Sequence, residues 1–128
     1  MDGQRTFATG QDAPRAAREF LRAALTTENL DEVGAVSELL TTELVANAVQ
    51  HARSAATVRV STPHDCLRVE VDDDSTVVPF VRPRDPARFS GYGLVLVETL
   101  SSEWGVDLRS DGKTVWFELP LPPPAATA

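Results

Sequence analysis

Ser37-Glu38-Leu39-Leu40-Thr41-Thr42-Glu43-Leu44-Val45-Ala46-Asn47-Ala48-Val49-Gln50-His51 is the stretch on which the fold turns. At about 100° per residue, Val36, Leu40, Glu43, Asn47 and His51 fall along one stripe of a helix expected from about Asp31 to His51. The stripe starts apolar and ends with a carboxylate, an amide and an imidazole. Burying such groups unpaired costs on the order of several kcal/mol in total, so something must satisfy them. A ligand, an internal hydrogen-bond network and a helix end that reaches the surface are all open readings of the helix alone.

Upstream, Asp12 reads as an N-cap with Pro14 tolerated in the first turn, and Ala16, Ala17, Phe20, Leu21, Ala24 and Leu25 follow at helical spacing. Residues 1–11 are a polar segment with a short strand expected at Thr6-Phe7-Ala8. Downstream, two alternating runs, Thr57–Thr62 and Leu67–Val71, flank the turn Thr62-Pro63-His64-Asp65. Period two puts Leu67, Val69 and Val71 on one face, and Asp73 is next in that series. Arg68, Glu70 and Asp72 point the other way. In Asp72-Asp73-Asp74 the middle carboxylate is therefore the one expected on the core side, although a solvated acidic turn fits the same three residues. Residues 74–90 show little periodicity and read as a functional loop. Gly91-Tyr92-Gly93 opens a short apolar helix, Leu94–Leu100. A hairpin closes the domain, with strands Val106–Arg109 and Thr114–Leu119 around a turn at Asp111-Gly112. Domain 12–121 is then followed by a Pro/Ala-rich tail, 122–128, expected to be disordered.

This order, helix-helix-strand-strand-helix-strand-strand, predicts an α+β two-layer sandwich: helices on one face of a mainly antiparallel sheet. The other sheet face is left to water or to a partner, and is a candidate surface for a homodimer.

Composition narrows the function. With 128 residues, twelve basic and nineteen acidic side chains, the chain is one domain of net charge −7. Neither nucleic acid nor an anionic membrane attracts such a balance. Cys66 is the single cysteine, which rules out an internal disulfide and suits the reducing cytoplasm. The first residues lack a signal peptide's apolar region, and no apolar run is long enough to span a bilayer.

Glycines before a helix let backbone N–H groups converge on an anion, so Gly91 and Gly93, with Arg82, Arg84 and Arg88 upstream, are candidates for phosphate contact. A plain turn at the start of a helix explains the same two glycines. Gly112-Lys113-Thr114 is not the end of a P-loop, because Asp107 stands where the first glycine is required. His64 and Cys66 are too few for a zinc site. The acidic run lacks the spacing of a calcium loop, and no Gly-x-Ser-x-Gly elbow supports a hydrolase.

In this order the pieces resemble the GHKL superfamily, whose members share the Bergerat ATP-binding fold. Glu43 to His51, with the Glu-x-x-x-Asn spacing, looks like that family's N box. The Gly-x-Gly helix and Lys113-Thr114-Val115-Trp116-Phe117 follow in the family's order. From about Asp12 to Leu121 the resemblance is to the small stand-alone anti-sigma factor serine/threonine kinases. It implies ATP and magnesium as ligands, with Asn47 on the metal and Glu43 as catalytic base. Asp73 would accept from the adenine amino group, with Ser75 next to it in the nucleotide site. Gly91 and Gly93 would contact phosphate beside Leu94, and Thr114 would hold a water or the base beside Asp73. His51 fills the histidine position at the end of the box, with a role outside direct ligation. Implied partners are a sigma factor or similar regulator and an antagonist bearing the acceptor serine, hence a role in transcription regulation. The chain shows no phosphoacceptor-histidine dimerisation helix, so a sensor histidine kinase is not expected.

One departure stands out. The family pattern after the adenine-binding Asp is Asp-x-Gly, and here it is Asp73-Asp74-Ser75. Glycine there permits a close backbone approach or a positive φ. The substitution favours an alternative: a non-catalytic, nucleotide-responsive module that binds a protein partner and transfers no phosphate.

Overall fold

The computed structural model describes residues 2–27, 31–77 and 93–122. Strand β1 (Asp2–Phe7) precedes helices α1 (Ala13–Thr27) and α2 (Asp31–Asn47), and the latter runs into a π turn at Ala48–Ala52. Strands β2 (Ala56–Ser61) and β3 (Cys66–Asp73), helix α3 (Gly93–Leu100), and strands β4 (Glu103–Arg109) and β5 (Gly112–Pro120) complete the chain. The five strands form one antiparallel sheet in the order β1-β2-β3-β5-β4. The helices cover one face, and the α+β two-layer architecture expected from the sequence is the architecture found.

Alternation builds the sheet's inner face. Ala56, Val58 and Val60 of β2, Leu67, Val69 and Val71 of β3, and Val115, Phe117 and Leu119 of β5 are all buried. Ala13, Ala17, Leu21 and Leu25 put a four-residue repeat of α1 into the same core. α2 contributes Leu40, Leu44 and Val45, the π turn Ala48, and α3 Leu94 and Val97. Outside the core, Arg22 of α1 donates to Glu38 of α2 at 2.7 Å.

Three expectations are corrected. The N-terminal strand is longer than Thr6-Phe7-Ala8: β1 pairs with β2 from Asp2↔Ser61 to Phe7↔Ala56, so the first residues are an edge of the sheet. β3 runs on to Asp73 because β5 pairs with it to the end, Asp73↔Lys113. The phase of α2 also differs. Its innermost line holds Ser37 and Thr41 with Leu40, Leu44 and Val45, whereas Val36, Glu43 and Asn47 sit half-buried on the flank. Ser37 enters the core by bonding the helix's own backbone, its hydroxyl donating to the Gly34 carbonyl at 3.0 Å, whereas the buried Thr41 hydroxyl finds no partner among the described residues.

The open sheet face carries charge pairs. Arg59 donates to Glu70 at 2.7 Å and forks onto both oxygens of Asp72. Arg68 bonds Glu70 at 2.8 Å and Glu118 at 2.9 Å, and lies 4.1 Å from the centre of the Trp116 ring. Trp116 in turn lies flat against Gly105 of β4, where a Cβ would come within 2.7 Å of the ring. This face is a lattice of half-buried ions suited to water.

Candidate functional site

The last turn of α2 sets the first half of the site. Glu43 and Asn47 are one turn apart on its flank, both half-buried. Among the described residues neither side chain makes a hydrogen bond or an ion pair. The helix then widens: the Arg53 N–H reaches back to the Ala48 carbonyl, and Arg53 takes a left-handed conformation with φ 52°. Single π turns of this kind recur at functional sites, because the extra residue re-aims the neighbouring side chains. Nothing in the sequence announced it. His51 lies within the turn.

Asp73, the last residue of β3, sets the second half. It faces the helices as alternation requires, and is 6% exposed. Its Oδ1 accepts from the Ser75 N–H at 2.8 Å. Ser54, just beyond the π turn, accepts from the Asp74 N–H at 3.1 Å and donates to the Ala55 carbonyl at 3.0 Å. This buried serine stitches the end of the α2 segment to the end of β3, so the two halves share one scaffold. Ser75 is not among the positive-φ residues of the described chain, which are Arg53, His64 and Asp65. Serine in the glycine position is therefore unstrained, and its N–H helps to fix Asp73.

Thr114 does not stand beside Asp73. In the β3–β5 register it faces Asp72, to which its hydroxyl donates, on the opposite side of the sheet. Lys113 is the residue across from Asp73. Its Nζ donates to both carboxylate oxygens, at 2.9 and 2.8 Å, and both side chains are buried. Sequence reasoning missed this lysine, although the inward series Leu119, Phe117, Val115 leads straight to it.

Gly112 and Arg109 hold that corner. Arg109 donates to Thr114 and to the carbonyls of Lys113, at 3.3 Å, and Asp73, at 3.5 Å. A Cβ on Gly112 would lie 2.1 Å from the Asp73 carbonyl oxygen, so only glycine lets β5 start this close. The loop of the hairpin is Ser110-Asp111, and Gly112 is already paired with Arg109. On the outer side, burial pushes the Asp72 carboxyl up, but the Arg59 and Thr114 hydrogen bonds and the charges of Arg59 and Arg109 outweigh it, and its pKa is lowered.

α3 packs on α2 and opens at Gly93. The Leu94 side chain belongs to the core, so what it offers a ligand is its backbone N–H in the first helical turn, where N–H groups lack intrahelical partners. Gly91 and the loop arginines Arg82, Arg84 and Arg88 lie outside the described residues. A shallow groove bordered by Gln4, Arg59 and Glu70 lies on the open sheet face and shares no residue with this site.

The donor set bears on which metal it suits. Among the described residues no three His, Cys, Asp or Glu side chains converge on a point. One amide oxygen with a carboxylate a turn away does not make an all-protein cage. It does fit magnesium, which keeps most of its waters and takes its remaining ligands from phosphates.

Comparison with known proteins bears on the family and the fold. The family model described as histidine kinase-like ATPase domain matches residues 7–119. No curated protein matches the chain. The crystal structure of the RsbU and RsbW domains of Rv1364c from Mycobacterium tuberculosis superposes with a TM-score of 0.76 at 23% identity, covering 100% of this chain and 34% of that one. The chain thus spans about a third of that protein's length. The NMR structure of the histidine kinase domain of the E. coli osmosensor EnvZ gives a TM-score of 0.50 at 18% identity, covering 74% of this chain and 70% of that one. At these identities the neighbours speak to the fold. Among the described residues no helix is long and apolar enough to cross a membrane.

Proposed function

Because the chain belongs to the histidine kinase-like ATPase domain family, we propose that it binds ATP with magnesium and transfers the terminal phosphoryl group to a serine or threonine of a protein partner, as its resemblance to anti-sigma factor kinases implies. The observation that carries this reading is the Glu43–Asn47 pair: two polar side chains on one helix flank, half-buried and without a hydrogen bond or ion pair among the described residues. Half-buried polar groups that bond nothing in the described structure are exposed enough to meet a ligand.

The residues divide the work. Asn47 offers a hard amide oxygen to magnesium, which when bound offsets the charge of the phosphates. Glu43 takes the proton of the acceptor hydroxyl as its oxygen bonds to the terminal phosphorus and ADP departs with the bridging oxygen. Asp73 accepts from the adenine amino group through the acceptor position its protein bonds leave open. The free N–H groups of the first α3 turn suit phosphate oxygens. Partner proteins would be an antagonist bearing the acceptor and a sigma factor or similar regulator held by capture.

A module that captures a partner without phosphoryl transfer is the second reading, and Ser75 is what favours it. The unstrained Ser75 backbone removes most of that support. The test is incubation with labelled ATP and serine-bearing antagonist proteins. Glu43→Gln should slow transfer on the order of 10²–10⁴-fold, with ATP affinity held within a few-fold. Partner capture without label, under conditions where ATP is bound, overturns the kinase and leaves the capture module.

A further inference from the structure

The Asp73–Lys113 pair has more hydrogen-bonding capacity than the protein uses. A carboxylate has about four acceptor positions and an ammonium three donors. Among the described residues, Asp73 Oδ1 is engaged by Ser75 N–H and Lys113, and Oδ2 by Lys113 alone. Lys113 sends N–H bonds to the two oxygens, and among the described residues its ammonium has no other acceptor. An unused acceptor on Oδ2 and an unused donor on Nζ therefore sit 2.8 Å apart on the helix side of the sheet. Both are buried, where an unmet polar position is costly and a met one is strong.

Adenine presents the complement of such a pair on one edge: the amino group, a donor, beside the ring nitrogen N1, an acceptor. We propose that Lys113 is a specificity-determining residue that donates directly to N1 while Asp73 accepts from the amino group, so that the ion pair reads the base as a unit. This deepens the ATP-binding reading above and rests on it. The lysine also holds the buried carboxylate in one orientation, through bonds to both of its oxygens. Thr114, on the other face, takes no part in base recognition.

Three ligands separate the possibilities in calorimetric titrations of the intact protein: ATP, 1-deaza-ATP, in which a C–H replaces N1, and purine riboside triphosphate, which lacks the amino group. Wild type should bind 1-deaza-ATP roughly 10- to 100-fold more weakly than ATP, the range for losing one hydrogen bond to a charged group. Lys113→Met should bind the two alike. Equal affinity of wild type for ATP and 1-deaza-ATP overturns the role of Lys113 without needing any variant to fold. So does a Lys113→Met protein that still discriminates between them. If purine riboside triphosphate remains weak in that case, the Asp73 reading survives and only the lysine's part is lost. If wild type binds no ATP at all, it is the proposed function that fails.

Discussion

Replacing Gly112 by alanine tests the corner on which the site is built. The added Cβ would sit 2.1 Å from the Asp73 carbonyl oxygen and 3.0 Å from an Arg109 nitrogen. Cβ atoms essentially never approach another heavy atom within 3.0 Å, so strand and carbonyl must part by about 1 Å. The obstacle is backbone at the end of a paired strand and cannot swing aside like a side-chain tip. Forced overpacking of this sort costs about 1–3 kcal/mol, and the rigid obstacle puts Gly112→Ala at the upper end. The accompanying loss of unfolded-state entropy returns only about 0.4–1 kcal/mol. A net loss of about 2 kcal/mol at this chain length lowers Tm by roughly 6–10 °C. Gly10→Ala is the control, since nothing lies within 4 Å of its Cβ; it should be neutral or slightly stabilising. Paired denaturation curves read both. A Gly112→Ala protein within about 0.5 kcal/mol of wild type, the range of an ordinary surface change, would refute the close approach of β5 to Asp73.

Thr41→Val should stabilise the protein by roughly 1 kcal/mol in urea denaturation, because the Thr41 hydroxyl is fully buried without a partner among the described residues and its removal ends an uncompensated burial; a destabilised variant would mean the hydroxyl is satisfied. Ser54→Ala should cost about 1 kcal/mol and also weaken ATP binding, since it cuts the bond from the Asp74 N–H that joins β3 to the end of α2; unchanged stability and binding would deny that stitch a role. Asp72 and Glu70 both have pKa values below the usual range, because burial, which pushes each up, is outweighed by the arginines. Their stabilisation is therefore full above the unfolded carboxylate pKa of about 4 and is lost as pH falls through the lower folded values. Asp72→Asn should flatten that acid limb, cost about 1–2 kcal/mol at pH 7, and leave ATP affinity unchanged, whereas Asp73→Asn should lower the affinity; an ATP affinity sensitive to Asp72 would contradict the register.

Strand β3 was legible because its alternation is clean: Leu67, Val69 and Val71 leave no choice about where Asp73 points. The layer order was legible for the same reason, since α1, β2, β3 and β5 each bury one apolar face, although the edge strands β1 and β4 bury little. α2 was harder, since Ser37 and Thr41 occupy inward positions that a hydrophobic pattern assigns elsewhere, and the wheel was drawn through Val36 and Glu43 instead. The resemblance sets Thr114 beside Asp73, whereas in the sheet Lys113 faces Asp73, and one residue of difference exchanges one face for the other. Extending the inward series from Phe117 and Val115 corrects it. Gly112 looked like a turn residue, whereas its reason is a contact with a strand distant in sequence. Ser54 gave no signal at all, as its bond depends on where the π turn delivers the chain.

The proposed function stands on a magnesium-dependent ATP site made by the flank of α2 and the end of β3. Calorimetric titration of wild type and Asn47→Ala with ATP and magnesium, and with ADP in the absence of metal, tests it most directly. Magnesium should strengthen ATP binding by wild type, and Asn47→Ala should lose far more affinity for magnesium-ATP than for metal-free ADP. Equal losses for both ligands, or ATP binding indifferent to magnesium in wild type, would contradict it.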